Sequence, residues 1–237
     1  MPDDAGHVLD NAVWWTLGAR HQHLAEELGG ARRYRKDASV FAAVESFDDE
    51  SWADLAKLIG ELGTCTLFRA DIPEQLPEGW TVKVRGRGRQ MTVQADGLGD
   101  VEPASIRDLT TGDVGQMIAL VAETNPGPFL PGTIALGRYV GHFEDGRLIA
   151  MAGERLHPDG FTEISAVCTH PDARGRGLAS ALTHTIATGI LDRHEQPFLH
   201  VADSNEQARR VYERLGFGQR RLVDLAVVTR APISTGA

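Results

Sequence analysis

Glu163-Ile-Ser-Ala-Val-Cys-Thr-His-Pro-Asp-Ala-Arg174-Gly-Arg-Gly177-Leu-Ala-Ser-Ala-Leu182 is the stretch that decides the fold. An apolar run ends at Pro171, which has no N–H to give to a strand ladder. A short loop with two glycines follows, and from Leu178 onward apolar residues recur at helical spacing. Gly175 and Gly177 let the backbone turn so that its N–H groups converge. The helix beyond adds its unpaired first-turn N–H groups and the positive end of its dipole. This is a cradle for a pyrophosphate. The dipole contributes only about 0.3–1 kcal/mol per anion, so the converging N–H groups must carry most of the binding. Arg174 and Arg176 add positive charge at the rim.

The loop alone leaves several ligands open. A P-loop needs Gly-Lys followed by Ser or Thr, and here Gly177 is followed by Leu178-Ala179. The dinucleotide pattern G-x-G-x-x-G is nearly met by Gly175, Gly177 and Ser180, with Asp203 at the end of the next predicted strand. Against it, Thr-His-Pro-Asp-Ala-Arg separates the strand from the first glycine, where a dinucleotide turn is tight. A glycine-rich helix start that holds no ligand is the plainest reading.

A second segment narrows the choice. His200-Val-Ala-Asp-Ser-Asn205-Glu-Gln-Ala208-Arg-Arg-Val-Tyr212-Glu-Arg-Leu-Gly216-Phe217 runs from a strand into a capped helix with a glycine stop. Taken together, the two segments resemble the GCN5-related N-acetyltransferases (GNAT), in their FR47-like branch. Arg174, Gly177 and Ala179 match the coenzyme A signature R-x-x-G-x-A, and Asn205, Ala208, Tyr212, Gly216 and Phe217 match the later one. The resemblance covers roughly residues 102–230. It implies a mixed α/β (α+β) sheet, splayed at the coenzyme-binding strand, and an N-acetyltransferase that uses acetyl-CoA as acyl donor and no metal.

It also implies roles. The pyrophosphate would sit on Arg174, Gly175, Arg176, Gly177, Leu178 and Ala179, with Asn205 nearby, and the pantetheine arm along Val167, Cys168 and Thr169. Tyr212 matches the tyrosine that contacts the leaving thiolate. A phenol near pKa 10 and a thiol near 8.5 make full proton transfer uphill by about 2 kcal/mol, so Tyr212 is better read as a hydrogen-bond donor than as an acid. Glu163 is the candidate base, because even spacing along the strand puts it on one face with Val167 and Thr169; a bulge would break that parity. His200 and His170 are candidate proton relays. Phe129, in the Pro/Gly-rich loop Asn125–Pro131, is the candidate acceptor-binding residue.

Outward from these segments, Asp145-Gly146 marks a hairpin between strands 137–144 and 147–155. The order from residue 104 is β-α-β-β-β-α-β-α-β, which implies helices on both faces of a mixed sheet. Turn-rich Asp96–Asp100 is the expected boundary, giving an N-terminal half, 1–98, and a catalytic domain, 99–237. The N-terminal half reads as helix 10–28, strand 39–45, a helix capped at Asp48–Ser51, and strands 64–68 and 80–84. It carries no motif, and its content suggests a degenerate GNAT-like half that shapes the acceptor pocket. Lys83, Arg85, Arg87 and Arg89 alternate along one strand face, either a solvated face or a patch for an anion. His21 and His23, two apart on a helix, make a poor metal pair.

Composition sets the outer limits. The 237 residues are 42% hydrophobic and 24% charged, with a net charge of −9 that runs against nucleic-acid binding. Cys65 and Cys168 read as buried thiols of a reducing compartment. The acidic start of the sequence and the lack of a long apolar window point to a cytoplasmic protein with no membrane partner. A homodimer stays open. The expected partner is a small-molecule amine or amino acid; the alternative is a non-catalytic acetyl-CoA-binding sensor or interaction module.

Overall fold

The computed structural model describes residues 6–102 and 104–231. Five α-helices and eleven strands follow in the order α1 Ala12–Leu17, β1 Ala25–Leu28, β2 Ala31–Tyr34, β3 Phe41–Val44, α2 Asp49–Ile59, β4 Thr64–Arg69, β5 Trp80–Thr92, β6 Arg107–Asp108, α3 Val114–Thr124, β7 Tyr139–Glu144, β8 Arg147–Glu154, β9 Phe161–Thr169, α4 Leu178–Leu191, β10 Gln196–Ala202, α5 Glu206–Arg214 and β11 Gly218–Arg230. The chain divides into two compact units. One takes the described residues up to Lys36, then Val40–Gly88, then those from Leu222 on; the other takes Asp37–Ser39 and Arg89–Arg221. The expected cut at 98/99 differs from this division at both ends. Residues 89–98 belong with the second unit, and the end of β11 belongs with the first because its residues pair with β4, Asp224 opposite Arg69 through Thr229 opposite Thr64.

In the first unit β3 and β4 are parallel and α2 is their crossover. Asp48 caps α2 by accepting from the Ser51 N–H at 2.7 Å, as the acidic cluster predicts. Trp52, Leu55 and Ile59 then pack on Ala42, Val44, Leu67, Ala226 and Val228. The expected helix 10–28 is corrected. Helix α1 stops at Gly18, and Ala25–Leu28 instead forms a hairpin with β2 around Gly29-Gly30. Gly29 takes φ +49, and charges alternate in sign across the pair, with Glu26 opposite Arg33 and Glu27 opposite Arg32. The glycine pair was a hairpin turn rather than a helix stop. Along the cationic stripe, Arg85 donates to the carbonyls of Ile72 and Pro73, and Arg87 meets Asp224 at 3.5 Å. These contacts favour the solvated-face reading.

The second unit has the strand order β11-β5-β10-β9-β8-β7-β6 for the parts of the strands that lie in it. The pairs β6–β7, β7–β8 and β8–β9 are antiparallel, and β9–β10 is parallel. The hairpin at Asp145-Gly146 forms with positive φ at both residues, as that dipeptide predicts. Helices α4 and α5 bury Leu178, Leu182, Ile186, Ile190 and Tyr212 in one apolar cluster. Helix α3 buries Met117 and Leu120 in another. Adjacent residues Val140 and Tyr139 of β7 point into the first and the second respectively, so helices cover both faces. No helix among the described residues is long and apolar enough to cross a membrane.

Candidate active site

The site is built on β9. Its parallel register with β10 runs from Phe161–Gln196 to Ile164–Leu199 and ends there, although the strands continue to Thr169 and Ala202. On its other side Met151 opposes Cys168 and Gly153 opposes Ser165, so Ala166 and Val167 together face the single Ala152. This is a β-bulge, and Ala166 takes φ +53 within it. The bulge and the loss of pairing coincide. Beyond Ile164 the two strands part, as the expectation of a splayed sheet requires.

The bulge also corrects the parity argument. Ile164 and Val167, three residues apart, both pack toward the α4 cluster, while Ala166 and Cys168 pack toward the α3 cluster. Glu163 therefore lies on the opposite face from Val167 and Thr169.

A cleft of about 1180 Å³ opens where β9 and β10 diverge. It is lined by Ile164–Thr169, by the glycine loop, by His200–Ala202 and by one face of α5. Gly175 and Gly177 take φ +78 and +76, and a Cβ on either would meet nothing within 4 Å. What calls for glycine here is backbone conformation rather than space inside the protein. Gly177 is the N-cap of α4 and offers no side-chain cap, so the first-turn N–H groups stay available to an anion. The Thr169 Oγ1 is buried beside this loop without a hydrogen-bond partner. Both features suit a phosphate-bearing ligand.

Of the residues expected from sequence, Val167, Cys168, Thr169, Arg174, Gly175, Gly177, Leu178, Ala179, Asn205 and Tyr212 all line this one cleft. Asn205 also caps α5, its Oδ1 accepting from the Ala208 N–H at 3.1 Å. Tyr212 is packed edge-to-face on Phe217, and burial raises its phenol above the usual range. Burial likewise pushes the Cys168 thiol up to about 11. Both keep their protons at neutral pH.

Three residues stand elsewhere. Arg176 turns away from the cleft onto Glu144 of the β7–β8 hairpin, leaving only its backbone in the loop. Phe129 packs against Tyr139 in the α3 cluster, and the cleft is reached instead by Thr124, Asn125 and Pro126. Glu163 has no exposure at all. Its Oε2 accepts from Arg155 Nε at 2.7 Å, and its Oε1 from Arg155 Nη2 at 2.5 Å and His200 Nδ1 at 2.7 Å. Burial alone would raise its pKa, but Arg155 and His200 outweigh that and hold the carboxyl well below the usual range. His170, the other candidate relay, points its Nε2 at Glu123, 2.9 Å away, and is not on the cleft wall.

The network behind Glu163 was not legible in the sequence. His200 Nε2 lies 3.0 Å from the Gln90 amide nitrogen, and Arg220 donates to the Gln90 Oε1 at 2.6 Å. The Arg220 contact fixes which way the amide points. Gln90 then donates to Nε2, and His200 carries its proton on Nδ1, toward Glu163. Burial lowers the His200 pKa in spite of that carboxylate. Arg155 is on the cleft wall, and no motif marks it.

A parted strand pair, a bulge and a glycine-loop helix start together frame this one cleft. A family model described as FR47-like protein matches residues 139–224. A GNAT-family structure from Novosphingobium aromaticivorans is 35% identical, with a TM-score of 0.87, covering 96% of this chain and 100% of that one. The chain belongs to the GCN5-related N-acetyltransferase family. A GCN5-related N-acetyltransferase from Kribbella flavida shares the fold at 18% identity, with a TM-score of 0.57 and 96% of each chain covered. Mycothiol acetyltransferase from Thermomonospora curvata is 38% identical over 89 residues, and that from Actinosynnema mirum 38% over 78 residues. The matches take 37% and 31% of this chain and span only 30% and 25% of those relatives.

Proposed function

We propose that the protein is an acetyl-CoA-dependent N-acetyltransferase in which a primary amine of a small molecule or amino acid attacks the thioester directly. The observation that carries this reading is the parting of β9 from β10 at Ser165, between a glycine loop and a buried tyrosine. An exposed strand edge offers N–H and C=O groups to the amides of a pantetheine arm. Gly175–Ala179 would hold the pyrophosphate through backbone N–H groups, with Arg174 at the rim. Tyr212 would donate a hydrogen bond to the thiolate as it forms. A Cys168 acyl-enzyme is disfavoured, because the thiol stays protonated and direct transfer needs no second nucleophile. Likeness to the mycothiol acetyltransferases makes a mycothiol-related amine one acceptor to test.

Calorimetric titration with acetyl-CoA, beside NADH and ATP, tests the reading. Wild-type protein should bind acetyl-CoA alone, and Gly177→Glu, which puts a carboxylate in the phosphate cradle, should lose it. Well-folded protein that ignores acetyl-CoA would sink it.

A further inference from the structure

An amine attacks a thioester only when unprotonated, so either a side chain removes its proton or it binds without one. Around the end of the cleft walled by Arg155, Ser165 and His200, the ionisable groups are already committed. Glu163 gives both oxygens to Arg155 and shares one with His200. His200 donates from Nδ1 and accepts at Nε2 from Gln90. Gln90 is fully buried and held by Arg220. On the neighbouring strands, Tyr139 donates to the Thr133 carbonyl, and Glu154 is paired with Arg193 at 2.8 Å and also accepts from the Arg138 N–H. His157 uses one nitrogen on Thr162 and the other on the Leu136 carbonyl. Cys168 and Tyr212 hold their protons. Glu206 is the carboxylate among the described residues lining the cleft. It pairs with Arg210 on the first turn of α5, roughly 9 Å along the helix axis from Tyr212.

Resting on the acetyltransferase reading, we propose that the acceptor is a weakly basic primary amine, an α-amino group of an amino-acid derivative or peptide, which enters the cleft already as the free base. The chemistry of amines makes this a strong filter. At pH 7 about one in ten α-amino groups (pKa about 8) is unprotonated, against about one in 2,500 lysine ε-amines (pKa about 10.4), a difference of about 250-fold. The charge of the wall acts in the same direction. With Arg155 neutralised by Glu163 and Arg210 by Glu206, Arg174 and Arg214 leave the lining cationic, which disfavours a polyamine or a lysine-rich tail. Glu163 acts through Arg155 and His200, which stand on this wall, and His200 is fixed between Glu163 and Gln90; both are positioning residues.

The test is steady-state kinetics with acetyl-CoA from pH 6 to 10, using L-alaninamide, L-alanine (whose amine is more basic) and Nα-acetyl-lysine amide. The expected result is a preference for alaninamide over the lysine derivative of 100-fold or more at pH 7. The rising limb of kcat/KM should move to higher pH when alanine replaces alaninamide. His200→Asn should lower kcat without moving the limb. A limb fixed at one pH for both acceptors, or one that moves in His200→Asn, would assign proton removal to the enzyme and overturn the proposal. So would acetylation of the lysine derivative in preference to the α-amines. Loss of acetyl-CoA binding in calorimetry would instead count against the acetyltransferase reading beneath it.

Discussion

The imidazole Nδ1 of His200 stands 2.7 Å from Oε1 of Glu163, on a carboxylate that has no solvent exposure and whose two oxygens already grip Arg155. The residue that spacing marks as a base has both oxygens engaged by Arg155 and His200 in the fold. Its Arg155 partner is one-sixth exposed, with 17% of its side chain accessible, so the pair sits at the boundary between core and cleft. Glu163→Gln removes the charge and strands the guanidinium. We expect a loss of about 3–5 kcal/mol in urea unfolding, the usual cost of breaking a buried pair from one side. The double variant Glu163→Gln/Arg155→Met should recover more than half of that. Equal losses in the single and double variants would show that the pair is not coupled.

The same network should contribute to the acid limb of stability. Burial lowers the His200 pKa below its unfolded value of about 6.5, so the unfolded chain takes up a proton that the folded chain resists. Stability is then full above pH 6.5 and falls below it, by at most about 1.4 kcal/mol per pH unit. The Glu163 pKa is also depressed, so its contribution is full above about pH 4.3 and is lost only as pH falls through its lower folded value. His200→Asn should flatten the slope between pH 6.5 and 5 and leave the steeper loss below pH 4 in place. Urea midpoints at pH 8, 6.5, 5 and 4 measure both.

Tyr212 lies in the cleft wall and retains its proton. Tyr212→Phe keeps the ring packed on Phe217 and removes only the donor. We expect kcat to fall by about 10²-fold, the usual cost of losing one preorganised donor, with acetyl-CoA affinity within about threefold of wild type. A variant with unchanged kcat would make Tyr212 a core residue only.

How far the sequence could be read follows from where each signal is local. The strand–Pro171–glycine–helix run and the Asn205 cap are settled by neighbours within a few residues, and they land where spacing puts them. The relative faces of Glu163 and Val167 were not legible because they depend on the bulge at Ala166, an ordinary alanine that takes φ +53. The Arg176 side chain lies off the cleft because it pairs with Glu144, 32 residues away, a contact no local pattern marks. Gln90, Arg155 and Arg220 form one network from three distant strand ends, and no local pattern marks such a network. The hairpin at Gly29-Gly30 was readable: Glu26-Glu27 and Arg32-Arg33 flank a glycine turn with complementary charge.

Two glycines separate backbone demand from packing demand. Gly177 has φ +76 and open space where a Cβ would be, so Gly177→Ala should cost about 1 kcal/mol through the left-handed backbone alone. Its methyl would intrude on the phosphate cradle and weaken acetyl-CoA binding tenfold or more. In Gly153, on β8 opposite Tyr139, a Cβ would collide with the Tyr139 ring. Gly153→Ala should therefore cost about 3 kcal/mol, as overpacking in a closed core does. Thermal melts with calorimetry on both variants distinguish the two demands.

Ala166 offers the sharpest handle on the cleft itself, because it holds φ +53 without being glycine. A left-handed alanine costs about 1–2 kcal/mol, and glycine removes that strain. Ala166→Gly gives back some of the gain, through a more flexible unfolded chain and the loss of a half-buried methyl beside the α3 cluster. The net expectation is a stability within about 1 kcal/mol of wild type and unaltered acetyl-CoA binding. Ala166→Val faces the opposite sum, since a β-branched side chain strongly resists positive φ. It should push β9 toward regular pairing with β8 and close the parting from β10, costing 2 kcal/mol or more and most of the acetyl-CoA affinity together. If Ala166→Val bound acetyl-CoA as tightly as Ala166→Gly, the bulge would not be what opens the cleft, and the strand edge proposed for the pantetheine arm would need another origin.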